Sequence, residues 1–141
     1  MSRRSVGDLI SREAVNLPAS ATVLEAAYLM AEHKIGAIMV VEEGRLRGIF
    51  TERDALFRVI AESRDPAMTP LSGVMTHKLK TATPHMTAVE ALLIMRDNNF
   101  RHLPVVEHGN VLGIVSLRDF VGAELQEVEE QLLYDTQAAT G

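Results

Sequence analysis

The 141-residue chain has no cysteine and no tryptophan, and only 4% of its residues are aromatic. Without cysteine there can be no disulfides, thiolate zinc sites, iron–sulfur clusters or thiol nucleophile. Long apolar runs are also missing. The longest, Ala26–Ala31 and Ala37–Val41, are core-sized and fall far short of the roughly 18–20 residues that cross a bilayer. Met1-Ser2-Arg3-Arg4-Ser5 is followed by no apolar stretch of roughly 7–15 residues, so a secretory signal is not expected and a cytoplasmic location is. A basic excess is lacking too: residues 1–121 hold all 14 Lys and Arg, against 14 acids. The net charge of −5 comes from Glu124, Glu127, Glu129, Glu130 and Asp135. A neutral body with an acidic tail leaves no electrostatic footprint for nucleic acid, so neither nucleic acid nor membrane is an expected partner.

What the chain does have is an internal repeat. A shift of 65 positions lays Val6–Arg58 on Leu71–Ala123 without a gap, and 12 of the 53 aligned pairs are identical. Among them are Thr22/Thr87, Glu25/Glu90, Gly48/Gly113, Ile49/Ile114, Arg53/Arg118 and Asp54/Asp119, while Ser11/Thr76 and Thr51/Ser116 exchange like for like. The chain therefore divides into a first repeat over residues 5–62, a Pro-containing linker at 63–70, a second repeat at 71–123 and an acidic helix and tail at 124–141.

Each repeat reads the same way, as helix–strand–helix–strand–strand–helix. A short apolar turn (Val6–Ile10; Leu71–Met75) leads to extended chain near Ala14–Leu17 and Leu79–Thr83. Thr22/Glu25 and Thr87/Glu90 form capping boxes that open helices. Apolar positions 23, 26, 27 and 30, and 88, 91, 92 and 95, keep helical spacing. Two strands follow around Glu42-Glu43-Gly44 and around His108-Gly109-Asn110, each pair a hairpin with glycine in the turn. A final helix opens at Thr51 or Ser116. A unit of about 50 residues buries little core alone, so the two copies are expected to pack about a pseudo-two-fold axis as an α+β fold. The crevice between them is a natural ligand site.

The motif with most chemical content is Gly48-Ile49-Phe50-Thr51-Glu52-Arg53-Asp54, repeated as Gly113-Ile114-Val115-Ser116-Leu117-Arg118-Asp119. In each, a hydroxyl ends a strand and opens a helix, and a carboxylate follows three residues later. Amides at a helix start favour an anion such as phosphate, and the Asp can accept two hydrogen bonds from the vicinal diol of a ribose. The same Ser/Thr-x-x-Asp/Glu pattern is also a capping box that needs no ligand. It occurs five times here, and the residues alone leave both readings open for Thr51/Asp54 and Ser116/Asp119.

The repeat order, the two Gly-Ile hairpins, the Thr/Ser-x-Arg-Asp endings and the phrase Val74-Met75-Thr76 resemble a tandem pair of CBS (cystathionine β-synthase) domains, a Bateman module, over residues 5–123. The resemblance implies a non-enzymatic regulatory module that binds an adenosine-containing ligand (AMP, ADP, ATP or a relative). It also implies a homodimer and a separate regulated protein. By position, Asp54 and Asp119 would hold ribose hydroxyls, with Thr51 and Ser116 beside sugar and phosphate. Ile49 and Ile114 would flank the base, together with groups near Leu17 and Thr83. Gly36 and Ala37 would line one site, and Arg101 and His102 the other. Because Arg101 and His102 can bind phosphate and Gly36 and Ala37 carry no charge, the Asp119 site is the favoured one. The alternative is a ligand-free dimeric scaffold.

The five histidines form no metal-binding pattern. His77 and His85 are the candidates if a metal site exists. A hydrolase reading has neither a Gly-rich phosphate loop nor a matched nucleophile and base. The seven methionines read as core filler. Residues 124–134 are expected to continue the last helix, with Leu125, Val128, Leu132 and Leu133 on one side and acids on the other.

Overall fold

A computed structural model describes residues 4–10 and 15–140, with side chains as far as Leu133. Ser11 and Ala14 lie outside the described residues. The chain is α+β and separates into two packing units: residues 13–79 with 108–111, and residues 1–12, 80–107 and 112–141. The units therefore do not follow the sequence repeats. The segment that opens each repeat is built into the unit carrying the body of the other.

In the unit holding residues 13–79, β1 (Asn16–Leu17) pairs in parallel with β2 (Ala37–Glu42), which pairs antiparallel with β3 (Arg45–Thr51). Helix α1 (Val23–His33) starts at the Thr22 cap, whose hydroxyl accepts from the Glu25 N–H at 3.1 Å, and stops at left-handed Lys34. β3 runs into α2 (Glu52–Asp54), which continues as a π-helical stretch, Ala55–Ile60. The second repeat's opening, Leu71–Gly73, forms a 3₁₀ turn here. Its Leu71 N–H donates to Ala21 O at 2.8 Å, and Thr76 exchanges two main-chain bonds with Ile49, at 3.0 and 2.8 Å. Leu71 is fully buried with Ala26, Ile38, Val40, Phe50 and Val74.

The other unit repeats the scheme. Helix α3 (Ala88–Asn98) has the Thr87/Glu90 box and ends at left-handed Asn99, and β4 (His102–Glu107) pairs with β5 (Asn110–Ser116). The N-terminal 3₁₀ turn Val6–Asp8 docks on it as Leu71–Gly73 does on its own unit: Val6 N–H donates to Met86 O at 2.8 Å and Gly7 N–H to Pro84 O at 3.0 Å. Val6, in register with Leu71, is fully buried beside Ala91, Leu103, Val105 and Val115. Burying one such side chain contributes about 1.5–3 kcal/mol, which the main-chain bonds around it supplement.

Both hairpin turns hold two residues at positive φ, Glu43-Gly44 and His108-Gly109. That is the left-handed pair a two-residue hairpin with the strands' own twist requires.

Five expectations need correction. The extended chain at Leu79–Thr83 is no strand but a single parallel bridge, Ala82 to Val105. The helix opened by Ser116 stops after one 3₁₀ turn, Leu117–Asp119, because Phe120 takes extended backbone and buries its ring. Helix α4 starts afresh at Gly122 and runs to Thr140. Its inward face carries Val128 and the acid Glu124, whereas Leu125, Leu132 and Leu133 are exposed. On α1, Ala27 is exposed while Val23, Ala26 and Met30 are buried, since the strip facing the sheet is narrower than the apolar pattern. The methionines divide as well: Met30, Met39, Met75 and Met95 fill the cores, but Met68 stands in solvent.

At Gly48 the segment carrying Met75 and Thr76 packs tightly against β3. A Cβ there would lie 2.9 Å from the Thr76 carbonyl and 2.8 Å from Met75 Sδ. At Gly122 a Cβ would meet nothing within 4 Å. Gly48→Ala is expected to lower stability by about 1–3 kcal/mol, and Gly122→Ala to leave it unchanged or slightly raised. Urea unfolding midpoints of the two variants measure the contrast.

Candidate functional site

The end of β3 brings the first motif together. Thr51 is the last residue of the strand, paired with Ala37 at the start of β2, and the Glu52 N–H donates to the Gly36 carbonyl at 3.0 Å. Asp54 then folds back one turn later and is buried. Its Oδ2 accepts from the Thr51 N–H at 3.0 Å and from Thr51 Oγ1 at 3.1 Å, while Thr51 Oγ1 accepts from the Asp54 N–H at 3.2 Å. Its Oδ1 accepts from Thr76 Oγ1 at 3.0 Å, and Arg58 Nε lies 3.6 Å away. Arg58 also donates to the Met75 carbonyl at 3.2 Å.

The second motif has the same skeleton. Leu117 N–H donates to the Arg101 carbonyl at 2.9 Å, the counterpart of the Glu52–Gly36 bond. Asp119 Oδ2 accepts from the Ser116 N–H at 2.6 Å and from Ser116 Oγ at 3.2 Å. Asp119 is half-buried and Arg101 exposed, with His102 half-buried at the head of β4. The position matching Thr76 is Ser11, outside the described residues.

The remaining predicted residues are placed as follows. Ile49 is buried beneath the paired Thr76, while Ile114 is half-buried. Leu17 pairs with Val40, three residues along β2 from Ala37, and packs on the core. Thr83 is exposed, one residue past the Ala82 bridge, with its carbonyl accepting from the Met86 N–H at 3.2 Å. All five Ser/Thr-x-x-Asp/Glu matches form capping boxes, Ser5/Asp8 included. Among the described residues no group of three His, Asp or Glu could hold a metal, and His85 instead meets Glu107 at 3.1 Å.

Two partners escaped the sequence reading. Thr76 carries a signal, a hydroxyl kept at matching positions as Ser11/Thr76, and Arg58 another, a cation four residues after an acid. Arg4 is the third surprise. Its guanidinium grips Glu124 at 2.6 and 3.1 Å and also donates to the Asp119 carbonyl at 3.2 Å.

The profile of the CBS domain matches residues 6–61 and 71–126, 112 of the 141 residues. The chain belongs to the CBS-domain family. This CBS pair is 40% identical over 115 residues to the CBS domain-containing protein YhcV of Bacillus subtilis, covering 82% of this chain and 81% of that one. Among solved structures it resembles a CBS domain protein from Pyrobaculum aerophilum complexed with AMP, with a TM-score of 0.79, 28% identity, and 89% and 98% of the two chains covered. It also resembles a hexameric CBS-CP12 protein from bloom-forming cyanobacteria, with a TM-score of 0.75, 26% identity, and 84% and 70% covered.

In this CBS pair the Arg4–Glu124 contact supports the backbone of the Asp119 motif. The hydrogen bond from Arg4 holds the Glu124 carboxyl below its ordinary range, with the Val121 N–H and the charge of Arg4 adding to it and burial opposing. The folded value therefore lies below the unfolded one, so the contribution is complete above the unfolded value, about pH 4.3, and disappears as pH falls through the folded value. Glu124→Gln should melt below wild type at pH 7, and the gap should close as the pH falls below the ordinary carboxylate range and through the lowered folded value of Glu124. The positions matching Arg4 and Glu124 are Thr69, in the linker, and Val59, in the first repeat. The double variant Arg4→Thr, Glu124→Val should therefore melt nearer to wild type than Arg4→Thr alone, which strands a buried carboxylate. Thermal melts across pH test both statements.

Proposed function

We propose that this CBS pair is a regulatory module, not an enzyme, that binds an adenine nucleotide through Asp54 and Asp119. One observation carries the reading most directly: Asp54 accepts a hydroxyl on each of its two carboxylate oxygens, from Thr51 at 3.1 Å and Thr76 at 3.0 Å. Two hydroxyl donors on one carboxylate are what a vicinal ribose diol supplies, so the donor set fits the ligand. The AMP in the related Pyrobaculum aerophilum structure supports the same class of ligand.

In this reading Thr51 and Ser116 sit beside sugar and phosphate, and Ile49 and Ile114 beside the base. Gly36 and Ala37 shape the Asp54 site. Arg101 supplies a charge and His102 a ring nitrogen for phosphate at the Asp119 site, so a phosphorylated ligand binds there more tightly. The module works in the cytoplasm as a homodimer whose geometry shifts with occupancy and is read by a separate protein. Such a shift requires the ligand to bind one geometry better than the other. The scaffold reading has its own support, because the Thr22/Glu25 and Thr87/Glu90 boxes show that the same bonding can serve a helix alone.

A thermal-shift panel of AMP, ADP, ATP, NADH and S-adenosylmethionine separates the two, with each protein measured against its own ligand-free melt. Ligand at about 100 times its dissociation constant should stabilise wild type by about 2.7 kcal/mol. Asp119→Ala should remove most of that shift and Asp54→Ala a smaller part. No shift in wild type with any ligand, together with early melting of both variants, would leave the carboxylates as helix caps.

A further inference from the structure

We infer that the Thr76 hydroxyl competes with the nucleotide for Asp54, so that filling this site is coupled to the hold of the exchanged segment 71–79 on β3. The inference rests on the nucleotide reading above and concerns how that site is regulated.

A carboxylate offers about four lone-pair positions. Around Asp54, Oδ2 already receives two donors, the Thr51 N–H and Oγ1. Oδ1 receives Thr76 Oγ1 and faces Arg58 at 3.6 Å. With 6% of its surface exposed, Asp54 has no open side on which to take two more hydroxyls. A diol must therefore replace donors already present. The Thr51 N–H is fixed by the strand-to-helix turn. Thr51 Oγ1 has a second role as acceptor of the Asp54 N–H at 3.2 Å, so it can turn its proton away and keep the cap. The donor that must give way on Oδ1 is Thr76.

Thr76 is not an isolated side chain. It anchors segment 71–79 through two main-chain bonds to Ile49, over the close approach at Gly48, beside the carbonyls of Val74 and Met75 that Arg58 holds at 3.4 and 3.2 Å. Arg58 therefore spans both the carboxylate and the segment. A ligand that takes Oδ1 loosens one side chain of the segment, and by reciprocity a firmly docked segment weakens the ligand.

This predicts an unusual sign. A residue that contacts ligand loses affinity on truncation, and a bystander leaves it unchanged, but Thr76→Val should bind more tightly while the ligand-free protein melts lower. The test is calorimetric titration of AMP in an Asp119→Ala background, so that the heat reports the Asp54 site. Thr76→Val should tighten binding about tenfold, the effect of one hydrogen bond to a charged group, and Thr76→Ser should match the parent. Equal or weaker binding by Thr76→Val, with the parent and Thr76→Ser binding normally, overturns the competition and leaves the nucleotide reading intact. AMP binding to none of the three overturns the competition together with the assignment of a nucleotide to Asp54, and titration of the chain with Asp119 intact then decides the nucleotide reading as a whole. Amide exchange in the parent keeps the question answerable if Thr76→Val does not fold. AMP should leave the Thr76 and Ile49 amides exchanging as fast or faster, and clear slowing of both would refute the coupling.

Discussion

The antiparallel exchange between a repeat's opening segment and the body of the other repeat is the contact on which the rest of the structure depends. Val6 on Met86 and Leu71 on Ala21, both at 2.8 Å, tie each 3₁₀ turn to the helix entry of its host unit. The same turns insert a fully buried side chain into each core. Neither sequence repeat contains all of its own packing, and the linker at 63–70 must carry the chain from one role to the other. A duplicated unit of about 50 residues is marginal by itself; exchanging its first turn makes the two copies mutually dependent without adding length.

The exchange also decides the chemistry of Asp54. A hydroxyl from the incoming segment completes the bonding of a carboxylate that the local sequence had half satisfied, so cap and candidate ligand site are the same group. Burying a carboxylate is costly unless it is hydrogen-bonded, and here the bonds come from hydroxyls, which a ligand can imitate. A carboxylate satisfied by main-chain N–H groups alone would be a poorer exchange partner, because those donors cannot leave without unwinding the helix start.

The two units solve one problem with opposite placements of charge. In one, Arg58 stands on the helix after Asp54 and reaches the carbonyls of the exchanged segment. In the other, the helix offers Glu124 and the exchanged segment supplies Arg4. Glu124 stands where the first repeat has Val59, and both are buried. The two motifs share hydroxyl, Arg and Asp, yet the atoms that support them differ.

Much of this was legible in the residues. The 65-residue repeat, the capping boxes, the glycine hairpins and the Thr/Ser-x-x-Asp pairs are local patterns, set by spacing along one segment of chain, and they determined the element types and the two carboxylates. The identity of each carboxylate's further partners was decided only in three dimensions. Thr76 lies 22 residues from Asp54 and Arg4 lies 120 from Glu124, and no periodicity connects positions that far apart. The break at Phe120 and the inward turn of Glu124 have the same origin. A residue's burial depends on which surface its element meets, and that surface was assembled from both repeats.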